Sequence, residues 1–397
     1  MTLPGTLGHA CNVRTRPPVF VGSGFVAKYP TGGGNFWVPL QYVLGLRALG
    51  VEAYWLELLW PQGDVERARR FVPTFRRYVE DAGVADHTAL ILFPENERDD
   101  APGREEQTGG PTDLWERARD GILLNVAHSV PAPLRDRFAR RVLFDVDPGQ
   151  FQLWARQFEL GVGSHDAYLT IGQNLGAPDC PVPLDGVPWQ RVWPAVHLPA
   201  WPVQASPGTR WTTVTQWWSE GWTILGDEVI EGHKRSSFLR VVDLPRHVSA
   251  TFELAANIHP DETVDLDLLH RHGWSVVDPA VVAGTPPEFR AYVQGSRGEF
   301  SCAKPSYVRT RPGWVSDRTV CYLASGRPCV VERTGAERHL PDSAGLRFFA
   351  TTDEAAAAVA AIEADYVVAS RAARALAEEV FSATVVLPAL LHAAGVS

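Results

Sequence analysis

The sequence predicts an α/β protein built from two parallel sheets with helices on their faces. Three observations carry this reading. Short apolar runs alternate with helix-patterned stretches through both halves of the chain. At 397 residues the chain has room for two domains. A segment rich in Pro, Ser and Gly, Ala200-Trp201-Pro202 through Pro207-Gly208, separates the two alternating sets and reads as a linker.

In the first half, Val19-Phe20-Val21 forms an apolar run. A helix is expected from Asn35 to Leu49, with Leu40, Val43, Leu44 and Leu46 on one side and Gly50 as its stop. A strand over Val51–Leu59 follows, then a charged helix over Asp64–Asp81 and a strand over Ala89–Phe93. Glu95–Gly110 is acidic, polar and Gly-rich, the composition of a loop. Further strands are expected at Ile122–Ala127, Val142–Val146 and Ala167–Ile171. After the linker come strands at Trp211–Thr215, Thr251–Ile258, Trp274–Val277, Tyr307–Val308 and Cys329–Val331. Asp353–Ala377 reads as one Ala-rich helix and Ser382–Ala394 as a last one.

The composition bounds the function. A net charge of −9 argues against a nucleic-acid protein, which would present a basic face. No run approaches the ~18 apolar residues of a membrane span, and the first residues lack a signal pattern, so a cytoplasmic protein with no membrane partner is expected. The cysteines (Cys11, Cys180, Cys302, Cys321 and Cys329) are scattered and form no C-x-x-C, as in reduced thiols rather than a disulfide framework or a zinc site. Basic residues are nearly all arginine, so the three lysines, Lys28, Lys234 and Lys304, stand out; a compact ammonium differs from a planar fork.

The most informative stretch is Lys304–Val331, KPSYVRTRPGWVSDRTVCYLASGRPCVV. It reads as strand, Gly-containing loop, helix, tight turn and buried strand. Ser316 is suited to cap a helix that begins Asp317-Arg318-Thr319, and Gly326-Arg327-Pro328 ends it. Such a helix start presents free N–H groups and seats phosphate. A well-capped helix in an ordinary crossover has the same pattern.

The segment GWVSDRTVCYLASGRPCVVERTG resembles the donor-binding segment of GT-B glycosyltransferases, and the likeness extends over about Thr212–Leu390. It implies two Rossmann-like domains facing a cleft: residues 1–205 on the acceptor side, 206–380 on the donor side, and 381–397 as a helix packed back on the first. One departure matters. Many retaining members carry a pair of glutamates around this helix, and in that register stand Gly313 and Cys321, with Asp317 the nearest acid.

The resemblance implies a soluble glycosyltransferase taking a UDP-, GDP- or dTDP-sugar as substrate, with no tightly bound cofactor and no metal. Its expected partners are that donor and a small-molecule acceptor, and the Arg-, Ala- and Pro-rich composition points to a natural product. A nucleotide-sugar epimerase of the same fold and a non-catalytic sugar-nucleotide or glycan binder are the alternatives. A diphosphate site of Lys234, Lys304, Ser316 and Arg318 is implied, with Asp317 and Thr319 on the same helix start. Thr215, Gln216 and Trp217 follow the first strand of the second half, and His259-Pro260 and Asp278-Pro279 end two others, where ligands of open sheets collect.

VFVGSGFVAKYPTGGGNF superficially matches a dinucleotide fingerprint, but Pro30 and Gly32-Gly33-Gly34 would break the helix such a loop must open, so NAD is excluded. The better reading is a long loop, Gly32, Gly33, Gly34 and Asn35 included, that faces the cleft and ligand. For a general base, Asp147 follows an apolar strand in FDVDPGQF and is the first choice; it is equally suited to a turn. His128 and the pair His165-Asp166 compete. Asp145-x-Asp147 has the form of a metal-binding DxD, but no further ligands cluster near it in sequence. The tryptophans between Trp189 and Trp222 are expected mostly in packing.

Overall fold

The computed structural model describes residues 16–61, 64–93, 105–219 and 221–396. Its first sheet comprises β1 (Val19–Ser23), β2 (Ala53–Leu59), β3 (Thr88–Leu92), β4 (Glu106–Thr108), β5 (Ile122–Val126), β6 (Arg140–Asp145), β7 (Ala167–Thr170) and β8 (Gln190–Arg191). Their order is β4-β3-β2-β1-β5-β6-β7-β8, and only the β3–β4 pair is antiparallel. The inner strands are buried along their length, which is why they read as continuous apolar runs rather than alternating ones.

The second half adds β9 (Arg210–Thr215), a hairpin of β10 (Trp222–Leu225) and β11 (Glu228–Glu231), then β12 (Thr251–Ala256), β13 (Trp274–Val277), β14 (Gly298–Ser301), β15 (Cys329–Glu332) and β16 (Leu346–Phe349). Apart from the hairpin these form a parallel sheet of order β13-β12-β9-β14-β15-β16.

The helices that bear on the site are α1 (Gly33–Ala48), α2 (Gln150–Ala155), α3 (Pro286–Gln294), α4 (Pro305–Thr310), α5 (Asp317–Ala324) and α6 (Ala383–Ala393). α6 lies on α1 so closely that a Cβ on Gly45 would sit 2.6 Å from Ala383 and Leu387. Backbone bonds from Val196 N to Phe381 O (2.8 Å) and from Ala383 N to Val196 O (2.9 Å) tie the tail to the first sheet's side.

Three expectations are overturned. Tyr307–Val308 is not a strand: Pro305 opens α4, a position where a missing N–H costs nothing, and the sheet's inner strand is β14 instead. The sequence GEFS of β14 is too short and polar to announce itself. The Ala-rich stretch is two helices, Thr352–Ala364 and Tyr366–Leu376, because Asp365 leaves helical geometry (φ −143°) and caps the second through Val368 N. Alanine favours helix on either side of such a break and so conceals it. Within the expected loop Glu95–Gly110, residues 95–104 lie outside the described set, and Glu106–Thr108 is the antiparallel edge strand.

Candidate functional site

Ligands of open parallel sheets collect at the carboxyl ends of strands where the order reverses. That point lies between β1 and β5 in the first sheet and between β9 and β14 in the second. The segments leaving β1, β9, β12, β13 and β14 wall a common cleft of about 480 Å³. Of the residues singled out in the sequence, Gly32, Gly33, Gly34, Asn35, Thr215, Gln216, Lys234, Asp278, Lys304, Ser316, Asp317 and Arg318 all line it.

Its second-domain wall is cationic. Lys234 is only 9% exposed and has no ion pair or hydrogen-bond acceptor among the described residues; its ammonium lies 5.8 Å from the Trp314 ring centroid. Burial, reinforced by the positive charges of Arg318 and Lys304, pushes its pKa down to about 7. Arg318 is tied down, its guanidinium donating to Glu299 Oε1 (2.6 Å), Ser301 Oγ (2.6 Å) and the Val214 carbonyl (2.9 Å). It therefore buttresses the end of β9 while contributing charge. Ser316 Oγ accepts from Arg318 N at 3.2 Å and caps α5, whose amino end opens on the cleft.

Lys304 reaches across to the first domain. Its ammonium lies 3.2 Å from Asp147 Oδ1 and 3.2 Å from Gln150 Oε1, and the Tyr307 hydroxyl also donates to Asp147. Burial pushes the Asp147 carboxyl up, but Lys304 and Tyr307 more than offset this and hold it below the ordinary aspartate value. Asp145 organises that corner from beneath. It accepts from Asp147 N (2.9 Å), Gln152 Nε2 (2.8 Å) and Thr170 Oγ1 (2.7 Å), and burial lifts it to about 7. Both acids of the DxD are thus engaged in organic hydrogen bonds. Asp317 differs: it lines the cleft with no side-chain partner among the described residues. Burial, with a smaller push from Asp147, raises it to about 7.

The Gly-rich segment is held by a residue the sequence reading missed. Glu57, fully buried at the end of β2, accepts from Val26 N (2.8 Å), Ala27 N (2.9 Å), Trp55 Nε1 (3.2 Å) and Ser23 Oγ. Gly33 and Gly34 open α1 and line the cleft, yet their bareness serves domain contact too. A Cβ on Gly33 would lie 2.2 Å from Thr285 O, and one on Gly34 2.8 Å from the Phe289 ring. Trp37 Nε1 donates to Pro286 O (3.0 Å) at the same seam. Tyr29, Trp37 and Phe289 give this end of the cleft an apolar wall. No spacing rule flags these three, because they come from separate elements.

Other expected site residues lie elsewhere. Trp217 is fully buried, its indole donating to Asp265 Oδ2 (2.8 Å); it is a core residue because β9 ends against the aromatic cluster of Phe238 and Trp274. His259 points to solvent, with its side chain 69% exposed beside Asp261, and Asn257 lines the cleft in its place. Thr319 faces inward on α5. His128 stands at the end of β5, half-buried with its ring 5.6 Å from Phe151, outside the cleft wall. Both Ala127 and His128 have φ of 49°, a left-handed pair that L side chains rarely adopt. His165 is buried against Asn125 (3.0 Å) and Val162 O (3.2 Å), Asp166 pairs with Arg141 (2.9 Å), and neither lines the cleft. Cys321, in the register of the missing glutamate, receives Gln41 Nε2 at 3.5 Å.

No family model matches the sequence, and no curated protein matches it. Solved structures do resemble the fold. HepE of Anabaena, in complex with UDP and glucose, superposes with a TM-score of 0.56 at 11% identity, covering 94% of this chain and 98% of that one. An α-glucosyltransferase in complex with UDP and a 13-mer DNA gives 0.53 at 10% identity, over 95% and 99%. AviGT4, a glycosyltransferase involved in avilamycin A biosynthesis, gives 0.52 at 12% identity, over 95% and 97%. Two parallel sheets meeting at a shared cleft, and a likeness to these glycosyltransferases along nearly the whole chain, show that this protein has the GT-B fold.

Proposed function

We propose that this protein is a glycosyltransferase that moves a sugar from a nucleotide-diphosphate donor to a small-molecule acceptor without a metal ion. The observation that carries this reading is Lys234. A lysine only 9% exposed, with no ion pair among the described residues, costs free energy, and its neighbours Lys304 and Arg318 add to the cost. A diphosphate seated against Lys234, Lys304 and the amino end of α5 would relieve all three at once. The same groups would stabilise the charge that develops on the leaving nucleoside diphosphate, which is the main demand of sugar transfer.

The structural neighbours favour a uridine nucleotide, since HepE and the α-glucosyltransferase are both complexes with UDP. AviGT4 supports a natural-product acceptor. Donor hydroxyls would find Asp317, Asn35 and Thr215 within the same cleft.

The test is a thermal-shift screen against UDP, GDP, dTDP, ADP and CMP, with and without EDTA. A ligand at 100 times its dissociation constant adds about 2.7 kcal/mol. One nucleoside diphosphate is expected to raise the melting temperature equally in both conditions. No shift with any of them would remove the donor site, and a shift abolished by EDTA would remove the metal-free mechanism.

A further inference from the structure

We propose that Trp154 is a positioning residue for the donor site: by seating the β10–β11 hairpin on the first domain, it holds Lys234 in the cleft. This rests on the donor-site reading above and gives the first domain control over a phosphate-binding lysine of the second.

The hairpin leaves the second sheet after β9 and returns just before Lys234. Its two stems line the cleft through Ser219, Gly232 and His233, and Lys234 follows directly. The stems meet backbone to backbone, since a Cβ on Gly232 would lie 2.0 Å from Gly221 O and 3.1 Å from Gly221 Cα. Beyond them β10 packs on α2 of the first domain and β11 on α4 of the second. Thr223 and Ile230, paired across the hairpin, are both buried.

Trp154, on α2, makes the contact between domains. Its indole Nε1 donates to the Trp222 carbonyl at 2.7 Å, and its ring would stand 3.4 Å from a Cβ on Gly221. Trp222 lies opposite Glu231 in the hairpin register, three positions before Lys234. On the other side of Lys234, Arg235 is locked to Asp265 by bonds of 2.6 and 2.7 Å. Near the hairpin tip Glu228 pairs with Arg309 at 2.8 Å, but both side chains are exposed and such a pair is worth little.

A load acts against this seat. Lys234 is only 9% exposed and stands beside Lys304 and Arg318, so burial and repulsion both favour its escape to water. Because Arg235 is pinned, the stem that precedes Lys234 is the side that can lift, and Trp154 opposes that movement. The groups facing Lys234 are Lys304 on α4, Arg318 on α5, Glu299 and Cys302 at β14, Glu332 on β15 and Asp147 across the cleft. Glu231 and His233 flank it on its own segment. All are present in each protein compared below, so a difference in titration reports Lys234.

The experiment measures UDP affinity from pH 7 to pH 9, with GDP, dTDP and ADP as further probes, for the wild type, Trp154→Ala and Gly232→Ala in the full chain. A terminal phosphate loses its last proton near pH ~6, so this range reads the protein. In the free wild type Lys234 titrates at about 7 and a bound diphosphate keeps it charged, so affinity should fall by up to about tenfold per pH unit. With the hairpin unseated, Lys234 reaches water and stays charged to about pH 10. Trp154→Ala should therefore bind UDP about two- to tenfold more weakly at pH 7, the worth of one hydrogen bond, and lose the pH dependence. Gly232→Ala, which pries the stems apart, should do the same.

Unchanged affinity in Trp154→Ala would overturn the proposal. So would weaker binding that keeps the wild-type pH dependence, which would make Trp154 a structural residue only, and so would a wild-type affinity flat over this range. Amide hydrogen exchange across Trp222–Glu231 separates the seat from the donor site. Trp154→Ala should speed it in the free protein, and UDP should slow it in the wild type, because coupling is reciprocal. Exchange unmoved by either change overturns the seat or its coupling to the ligand. A wild type that binds no nucleoside diphosphate overturns the donor-site reading instead, a result distinct from these because exchange in the free protein still reports the seat.

Discussion

Replacing Lys234 by methionine should make the free protein more stable and disable its donor site. The wild-type lysine has its pKa lowered from 10.5 to about 7 by burial first and then by Arg318 and Lys304. A depressed lysine pKa means the folded state binds that proton more weakly than the unfolded chain does. The resulting penalty is fully present below pH 7, shrinks as pH rises, and is gone above 10.5. At about 1.4 kcal/mol per pH unit its ceiling is roughly 5 kcal/mol. The stacking of Lys234 on Trp314 and local relaxation cut the realised gain to about 1–2 kcal/mol, a rise of a few degrees in melting temperature. Methionine has a similar length and is suited to irregular apolar space.

Thermal unfolding of wild type and Lys234→Met at pH 6.5 and pH 10, with and without UDP, measures both effects. The variant should gain at pH 6.5, gain less at pH 10, and lose its response to UDP. Since a bound diphosphate favours the charged lysine, wild-type UDP affinity should also weaken as pH rises from 7 to 9. A variant less stable than wild type at pH 6.5 would show that the ammonium is satisfied in the free protein. A full UDP response in that variant would place the phosphate elsewhere.

Two further substitutions separate packing from binding. Gly33→Ala forces a Cβ against the Thr285 carbonyl, so the seam must part; the expected cost is about 1–3 kcal/mol in denaturant unfolding, with weaker UDP binding, and no change in either would deny that this contact sets the cleft. Trp217→Phe deprives Asp265 of its indole donor and should cost about 1–2 kcal/mol while leaving the UDP dissociation constant unchanged; a large loss of affinity with little loss of stability would return Trp217 to the site.

The alternation of elements, the Ser316 cap, the Gly326 turn and the isolation of three lysines in an arginine-rich chain were all local features, and local features are legible in a sequence. A cap needs only the hydroxyl and the amides just after it, and a buried strand needs only its apolar run. The misreadings were local competitions too: KPSYV has strand-like residues, but a proline at the first helical position and the sheet's need for β14 decided otherwise. What only the tertiary structure decided was partnership. Glu57 reads as one acid in an apolar strand until the fold brings the Val26 and Ala27 amides to it. Trp217 and His259 follow strand ends as Thr215 does, but packing turned one into the core and the other to solvent. Asp147 and Lys304 are 157 positions apart, and their pairing exists because two separate sheets place their carboxyl ends across one cleft. Sequence spacing carries no record of such a contact, because the free energy that makes it comes from burial of the surfaces on either side.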